Sequence, residues 1–427
     1  MRISIRGGNV VTASGVLKHA SLIVDNGRIA ALGTHVDVGN SAEIGRCAEL
    51  GTQVNIGNSA ELGTHVDNGR SADMDTPSSV DDLIIDAAGC YVMPGFIDLH
   101  IHGGAGMDVT DSDDNAIESV CRYHAQHGTT GLLMTTRTMP MADINNTLQR
   151  LAAYMKAPHP LGSRPLGIHL EGPFINETYK GAQSAQYICP PSLEIMKRWI
   201  EIAEGHIKLV TLAPELEQSD AVISWLDDQG VIVSAGHCGP DYEQMIKAID
   251  LGVRHITHCF NGMRGFSHRD PGMLAALLMD ERVTVELIMD TIHVHPAAGK
   301  LLLHNKGTQG VVLITDAIRA AGMPDGEYSS AGGRTITVDH GEARLPSGSL
   351  AGSTLSMNQA LGNAVKHMGV SVAQASVMAS LTPATILGID QHKGCLSVGK
   401  DADVVITDVE FNVLLTMREG QIVYQAQ

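Results

Sequence analysis

The sequence lacks the features that mark secreted and membrane-bound proteins. Its seven cysteines are odd in number, scattered, and never arranged as Cys-x-x-Cys, a usage typical of reduced thiols in a cytoplasmic protein. No apolar run is long enough to span a bilayer, and residues 1–8 contain no apolar stretch of the kind found in secretory leaders. We therefore expect a cytoplasmic protein that does not insert into membranes.

Basic residues are also scarce. The chain has 29 Lys and Arg against 47 Asp and Glu, a net charge of −18. This balance argues against nucleic acid or an anionic membrane surface as the main partner, although a few local cations could still hold a small anion such as a phosphate. What the chain does have is a hydrophobic fraction of 44% over 427 residues, enough for a large core.

Both ends of the chain predict short β-strands. Residues 2–5, 9–12, 21–25 and 28–32 are β-type runs, and Asp25-Asn26-Gly27 predicts a hairpin turn. Residues 402–407, 411–416 and 420–423 are similar short β-type runs near the carboxyl terminus. Because a few short strands are rarely stable alone, we predict one small β-sandwich domain built from residues 1–93 and 393–427.

Residues 32–74 carry a six-residue repeat within the amino-terminal part. Glycine recurs from Gly33 to Gly69, usually preceded by an aliphatic residue and followed three positions later by Ala or Val. This aliphatic-Gly-x-x-small-x unit is typical of a parallel, left-handed β-helix. We predict such an insertion, leaning on the β domain or on a partner subunit, with a flexible low-complexity insertion as the alternative.

The segment 94–392 alternates short apolar runs with longer helical patterns, which is the signature of βα units around a parallel sheet. Eight apolar runs are present, at residues 94–102, 131–136, 166–171, 207–212, 231–237, 254–258, 283–290 and 311–316. Eight such units predict a (β/α)₈ TIM-like barrel, whose chemistry lies at the carboxyl ends of the strands.

Six of the eight runs end in His, Asp or Glu. These residues are His100 and His102, Glu171, His237, His258, His293 after Asp290, and Asp316. Side chains two apart in a strand point to the same side, so His100 and His102 face one way. Each residue alone has an ordinary explanation, a core histidine or a helix cap. Together they predict a zinc-type centre with an open position that acidifies water to a pKa near ~7.

The segment Pro94–Gly103 resembles the opening of the amidohydrolase superfamily. Five further segments of the chain are similar to one branch of that superfamily, the N-acetylglucosamine-6-phosphate deacetylases: residues 169–174, 257–263, 268–272, 313–317 and 350–355. The resemblance covers residues 84–427 and the amino-terminal strands, but not the repeat insertion. It implies metal-dependent hydrolysis of the acetamide of N-acetylglucosamine-6-phosphate, giving glucosamine-6-phosphate and acetate, in amino-sugar catabolism.

The resemblance also implies roles for individual residues. Glu171, His237 and His258 match the principal metal ligands, and His100 with His102 match a pair that binds a second metal in members that have it, with Glu171 bridging. Zinc is the expected metal, as one or two ions, with iron as the alternative. Asp316 matches the catalytic aspartate, which acts as general base and then as general acid, work typically worth ~10²–10⁴ in rate.

A second set of residues matches the substrate contacts of that family. Asn261, Gly262, Arg269 and His293 correspond to its phosphate-binding positions, and Leu355 completes the set. Part of the phosphate site comes from a neighbouring subunit in the family, which implies a homodimer. Arg suits phosphate because its planar fork donates two hydrogen bonds at once.

Two positions depart from the family pattern. Lys180-Gly181-Ala182-Gln183 has Gln183 where the family has a histidine that polarises the substrate carbonyl. Loss of one such donor typically costs ~10²–10³ in turnover. We therefore expect a slow enzyme, or one whose substrate or metal arrangement compensates, for example through a second metal that polarises the carbonyl. Thr291 replaces a glycine before His293, and since Thr disfavours positive φ, we expect a reshaped loop there.

Other functions stay open at the level of sequence. N-acetylgalactosamine-6-phosphate is an alternative substrate. A cyclic amidase of the dihydroorotase kind is disfavoured, because that branch bridges its metals with a modified lysine and Glu171 holds the position here. An alternative from another class is a catalytically impaired barrel retained as an assembly scaffold, for which Gln183 is the only argument.

Overall fold

The computed structural model describes residues 2–34, 56–58, 83–113, 115–157, 161–330 and 332–427. Most of the predicted β-helix insertion at residues 32–74 lies outside these ranges. Of its interior the structure describes only the short strand Ile56–Asn58.

The described residues of the amino-terminal part form six strands. They are β1 (Arg2–Thr12), β2 (Gly15–Asp25), β3 (Arg28–Gly33), β4 (Ile56–Asn58), β5 (Leu83–Asp86) and β6 (Tyr91–Pro94). The predicted hairpin joins β2 to β3, and its turn residues Asn26 and Gly27 have φ of 49° and 78°. Two successive positive φ values suit the right-handed twist of the flanking strands.

The described residues of the middle of the chain form ten strands and seven α-helices. The strands are β7 (Phe96–Ile101), β8 (Gly103–Gly104), β9 (Met107–Asp108), β10 (Thr129–Thr135), β11 (Arg164–Glu171), β12 (Ile207–Leu212), β13 (Ile232–Ala235), β14 (Val253–Ile256), β15 (Thr284–Ile288) and β16 (Val311–Ile314). The helices are α1 (Ala116–Gln126), α2 (Met141–Lys156), α3 (Leu193–Ile202), α4 (Ser219–Asp228), α5 (Tyr242–Leu251), α6 (Gly272–Met279) and α7 (Pro296–Gly310).

Eight of these strands form one parallel sheet in chain order, from β7 through β10 and on to β16. The strands are covered on both faces, which is why they read as continuous apolar runs; every residue of β7, β10 and β16 is buried. Backbone bonds just beyond β7 and β16 close the ring: Asp316 N donates to His100 O over 2.9 Å, and His102 N to Ala317 O over 2.8 Å. The predicted barrel is confirmed.

The last part of the chain forms a small separate sheet and several helices, and its final strands β20–β22 pair with the amino-terminal strands. It forms β17 (Gly326–Ser329), β18 (Thr335–Asp339), β19 (Glu342–Arg344), α8 (Met357–Asn363), α9 (Val372–Ser376), α10 (Thr382–Ile386), β20 (Val404–Thr407), β21 (Val413–Arg418) and β22 (Gln421–Gln425). Strands β17–β19 make a small antiparallel sheet, while π-helical turns Ala364–Met368 and Val377–Leu381 follow α8 and α9.

Both ends of the chain share one mixed sheet of nine strands, with β20 pairing antiparallel to β6. Within it β1 changes partner, because Ile3–Arg6 pair with β5 and Asn9–Val10 with β6. The prediction that both termini build a separate β domain is confirmed, whereas the domain boundaries at residues 93 and 392 stay predictions. Among the described residues, no helix is both long and apolar enough to cross a bilayer.

Candidate metal centre

The carboxyl ends of the barrel strands bring the predicted ligands together. The potential ligand atoms of Glu171, His237 and His258 all lie within 4.8 Å of one another, as do those of His100, His102 and Asp316. All six residues are buried. The first group is the one that the sequence assigns to the principal metal. The second joins the predicted second-metal pair, His100 and His102, to the predicted catalytic Asp316.

Glu171 stands at the centre of the first group. Its Oε1 lies 3.0 Å from His237 Nε2 and 3.2 Å from His258 Nε2. The other ring nitrogens are occupied by the backbone, since His237 Nδ1 is 3.0 Å from Tyr179 O and His258 Nδ1 is 3.1 Å from Asn261 O. A ring that donates through Nδ1 presents the lone pair of Nε2, so both histidines are oriented as metal ligands.

Gly262 allows this packing. A Cβ at this position would lie 3.0 Å from His237 Nδ1 and 3.2 Å from Tyr179 O, and the residue has a φ of +58°. Any larger residue would push on the histidine ring or on the carbonyl that orients it. Gly262 therefore shapes the first ligand group as well as the loop after β14.

The second group faces the first across Glu171. His102 Nε2 lies 3.3 Å from both Glu171 Oε2 and Asp316 Oδ1, while its Nδ1 is 3.2 Å from Thr135 O. His100 Nε2 lies 3.5 Å from Glu171 Oε1 and from Asp316 Oδ1. This fully buried nitrogen makes no hydrogen bond, which is costly for a polar atom unless a ligand satisfies it. Imidazole nitrogens with carboxylate oxygens suit a divalent ion, so the residues present fit a metal.

The charges of the two groups are interdependent. Burial lowers the pKa of His100, but Glu286, Asp316 and Glu171 outweigh it and raise that pKa to about 10. Burial raises the pKa of Glu171, but His100 and His102 hold it well below the usual range. For Asp316 burial is likewise outweighed by His100 and His102, so its pKa is lowered. Opposite charges thus outweigh burial in this centre and favour ionised Glu171 and Asp316 beside a protonated His100.

Gln183 lies inside this constellation. Its Nε2 donates to Glu171 Oε2 over 2.6 Å, and its Oε1 accepts from Thr138 N over 2.9 Å. The backbone amide of Thr138 can only donate, so it fixes which end of the Gln183 amide faces the carboxylate. The residue that replaces the family histidine is therefore held against the proposed bridging ligand.

A cavity of about 810 Å³ opens over the centre. Most of the predicted site residues line it: His102, Glu171, Gln183, His237, His258, Asn261, Gly262, His293 and Asp316. His100 is fully buried beneath it. Two predicted residues lie elsewhere: Arg269 is exposed to solvent, and Leu355 is buried in a cluster with Ile97 and Leu99.

The loop that carries His293 keeps a left-handed residue at Thr291, which has a φ of 69°. Asp290 organises the loop, because its Oδ1 accepts from Ile292 N and His293 N over 2.8 and 2.7 Å and its Oδ2 lies 2.6 Å from His293 Nδ1. The expectation that Thr would avoid positive φ at this point is wrong. The side-chain bonds of Asp290 hold the conformation that a β-branched residue disfavours.

Two buried carboxylates of the centre were missed by the sequence reasoning. Glu286 Oε2 lies 3.0 Å from His100 Nδ1, and Asp98 accepts from His100 N over 3.2 Å and from Thr315 Oγ1 over 2.6 Å. Burial raises the pKa of Asp98 to about 7. The available signal was a single charge inside an apolar run, as in Val285-Glu286-Leu287.

Comparisons with known proteins agree with this geometry. Residues 91–423 match the model of the amidohydrolase family. An N-acetylglucosamine-6-phosphate deacetylase of Lysinibacillus sphaericus is 39% identical over 79% of this chain and 87% of its own length. An N-acetylgalactosamine-6-phosphate deacetylase of Escherichia coli O157:H7 is 40% identical over 77% of this chain and 86% of its own.

Solved structures extend the likeness to the whole fold. A variant of the N-acetyl-D-glucosamine-6-phosphate deacetylase of Mycobacterium smegmatis, in complex with N-acetyl-D-glucosamine-6-phosphate, superposes with a TM-score of 0.82. It is 30% identical to this chain, and the match covers 100% of this chain and 99% of the other. The β domain and the barrel therefore share their arrangement with a protein that binds a phosphorylated amino sugar.

Proposed function

This chain belongs to the amidohydrolase family, and from that premise we propose that it hydrolyses the acetamide of N-acetylglucosamine-6-phosphate to glucosamine-6-phosphate and acetate. The observation that carries the proposal is the convergence of Glu171, His237 and His258 with Asp316 at the floor of one cavity. A barrel retained only as a scaffold should have lost some of these groups, and all of them are present.

Glu171, His237 and His258 would hold the principal divalent ion, which we propose is zinc, and His100 with His102 would hold a second. Such an ion supplies Lewis acidity that polarises a carbonyl and acidifies water. Imidazole and carboxylate ligands suit zinc, and iron is the alternative that we retain.

Asp316 supplies the proton chemistry. Its Oδ1 accepts the proton of the attacking water while the water oxygen bonds to the acetyl carbon. As the carbon–nitrogen bond breaks, Asp316 returns that proton to the departing amine nitrogen, which leaves acetate and the free amino sugar. The lowered pKa of Asp316 favours the carboxylate form that the first step needs.

The phosphate of the substrate would lie at the edge of the cavity formed by Asn261, Gly262 and His293. Arg269 is exposed beyond that cavity. We therefore propose that Arg269 serves the site of a neighbouring copy in a homodimer, whose existence sedimentation of the purified protein would test. We also propose a cytoplasmic location, since none of the six cysteines in the described ranges is in a disulfide.

N-acetylgalactosamine-6-phosphate is the second candidate substrate. The relative from E. coli O157:H7 named N-acetylgalactosamine-6-phosphate deacetylase is 40% identical to this chain, and the L. sphaericus relative named N-acetylglucosamine-6-phosphate deacetylase is 39% identical. The two substrates differ only in one hydroxyl configuration, so both would fit the same acid–base and metal chemistry.

The test is acetate release by zinc-loaded protein from the two phosphorylated sugars and from unphosphorylated N-acetylglucosamine. We expect turnover of N-acetylglucosamine-6-phosphate, its loss when the phosphate is removed, and a fall of ~10²–10⁴ in the Asp316→Asn variant. Release from the galactosamine epimer alone would favour the second candidate. Absence of acetate from all three, with metal bound, would overturn the proposal.

A further inference from the structure

A single buried carboxylate, that of Glu286, contacts both ligand groups and lies outside the cavity. Glu286 lies in the middle of β15 and is 0% exposed. Glu286 does not line the cavity, and it is not one of the metal ligands that the sequence predicts. Its side chain instead contacts one residue from each group, His100 and His258.

The contact with His100 fixes a ring. Glu286 Oε2 lies 3.0 Å from His100 Nδ1, which therefore carries the proton and donates it. In the neutral ring that a metal requires, the lone pair of His100 is then on Nε2, the atom that faces Glu171 and Asp316 at 3.5 Å without a hydrogen bond. Without an acceptor at Nδ1, the ring could equally place its proton on Nε2 and present no ligand atom to the site.

The contact with His258 fixes a backbone. The same atom, Glu286 Oε2, accepts from His258 N over 2.9 Å. His258 has a φ of 29°, an unusual value for a residue other than glycine, so its amide has left the ladder of β14. The next amide, Cys259 N, donates to Glu286 O over 2.9 Å. Two successive amides of the turn that aims His258 at Glu171 thus donate to the same residue, Glu286.

The other carboxylate oxygen of Glu286, Oε1, makes no hydrogen bond among the described residues and faces a histidine. This oxygen lies 3.3 Å from His255 Nε2, and His255 Nδ1 lies 2.6 Å from Thr284 Oγ1. Oε2 is therefore the carboxylate oxygen of Glu286 that accepts hydrogen bonds, one from each ligand group.

We infer that Glu286 is a positioning residue for both metal subsites, and that its Oε2 simultaneously orients His100 and holds the backbone of His258. The two subsites therefore share a support that is distinct from the bridging ligand Glu171. The inference rests on the metal-binding part of the proposed function and not on the identity of the sugar.

Two conservative substitutions separate position from charge. Glu286→Gln loses the charge, but its carbonyl oxygen can occupy the place of Oε2 and accept both bonds. Glu286→Asp keeps the charge, but its side chain is one carbon shorter and withdraws the oxygen from both donors. We expect zinc affinity of Glu286→Gln to stay within ~10-fold of the unchanged protein, and Glu286→Asp to lose ~10–100-fold at both subsites.

The measurement is zinc bound per chain against a chelator-buffered zinc series, on full-length protein without substrate, with circular dichroism to verify folding. Asp403→Asn, a buried carboxylate of the β domain, serves as the matched control and should bind zinc as the unchanged protein does. Loss at only one subsite, equal affinities in both variants, or weaker binding by Gln than by Asp would overturn the inference. Because no substrate is present, failure of the deacetylase proposal would not be confused with failure here.

Discussion

The amide nitrogen of Gln183 donates to Glu171 Oε2 across 2.6 Å, so the residue that departs from the family pattern touches the proposed bridging ligand. Its oxygen is engaged by Thr138 N at 2.9 Å, and the side chain is 9% exposed. An amide held at both ends still has one N–H to offer the cavity. It supplies a neutral donor where an imidazolium would supply a charged one.

Replacing Gln183 with leucine should therefore lower turnover by ~10²–10³, the usual cost of one donor to a developing oxyanion. The substitution also leaves Thr138 N–H without its acceptor, so a loss of about 1–3 kcal/mol in the free energy of unfolding should accompany it. Steady-state acetate release and denaturant unfolding measure the two effects.

Replacing Gln183 with histidine should raise turnover, because a charged donor stabilises a developing oxyanion better than an amide does. The comparison is kcat at saturating substrate and equal zinc content for Gln183→His and the unchanged protein. An unchanged kcat would show that the second metal, or another donor, already does this work.

Loading of the metal should release protons. Burial opposes charge on His100, His102 and His237, but neighbouring carboxylates raise their pKa values, that of His100 to about 10. A metal must displace those protons, so zinc affinity should rise with pH from mildly acidic conditions up to the raised pKa values. Calorimetric titration at neutral pH in buffers of different ionisation enthalpy gives the number released, and heats that do not depend on the buffer would contradict the expectation.

Replacing Thr291 with glycine should stabilise the protein. A β-branched residue with a φ of 69° stores ~1–3 kcal/mol of strain, whereas glycine adopts this conformation freely at an entropic cost of ~0.5–1 kcal/mol. We expect a net gain of about 1 kcal/mol in the free energy of unfolding, measured as a shift in denaturant midpoint. Thr291→Ala keeps a Cβ at positive φ and should gain less than the glycine variant.

Replacing Lys393 with methionine should destabilise the β domain. The Lys393 ammonium, with a side chain 11% exposed, lies 2.8 Å from Asp403, 3.1 Å from Asp401 and 3.2 Å from Glu419. Its loss leaves the buried charge of Asp403 unpaired, which typically costs ~3–5 kcal/mol.

The control for this change is Lys366→Met, which removes an exposed ion pair with Glu410. Exposed ion pairs contribute ~0–1 kcal/mol to the free energy of unfolding. The denaturant midpoint of Lys393→Met should therefore lie clearly below that of Lys366→Met. Similar losses in the two variants would mean that Lys393 acts through something other than the buried carboxylates.

Much of the site was predictable because its residues lie at the ends of recognisable strands. The period of two places His100 and His102 on one side, and the alternation of strand and helix brings His237, His258 and Asp316 to the same end of the barrel. Glu286 could not be found in this way, since its role depends on which strands become neighbours. The roles of Leu355 and Arg269 came from a motif and stay predictions, because neither side chain lines the cavity in one copy of the chain.

The conformation at Thr291 was mispredicted for a related reason. Intrinsic preference argued against positive φ, but three bonds from the Asp290 carboxylate to the following residues outweigh it. Local propensity is a weak guide wherever a buried polar group organises the backbone.

The joint between the first and last barrel strands has a further consequence. Asp316 N donates to His100 O, and His102 N donates to Ala317 O. The bonds that close the barrel therefore lie beside Asp316, the aspartate that we propose transfers protons. Any separation of the first and last barrel strands would change the distance between the Asp316 carboxylate and the neighbouring histidines. The position of the Asp316 carboxylate thus depends on the backbone bonds between the first and last barrel strands. We expect slow amide hydrogen exchange at Asp316 in the active protein.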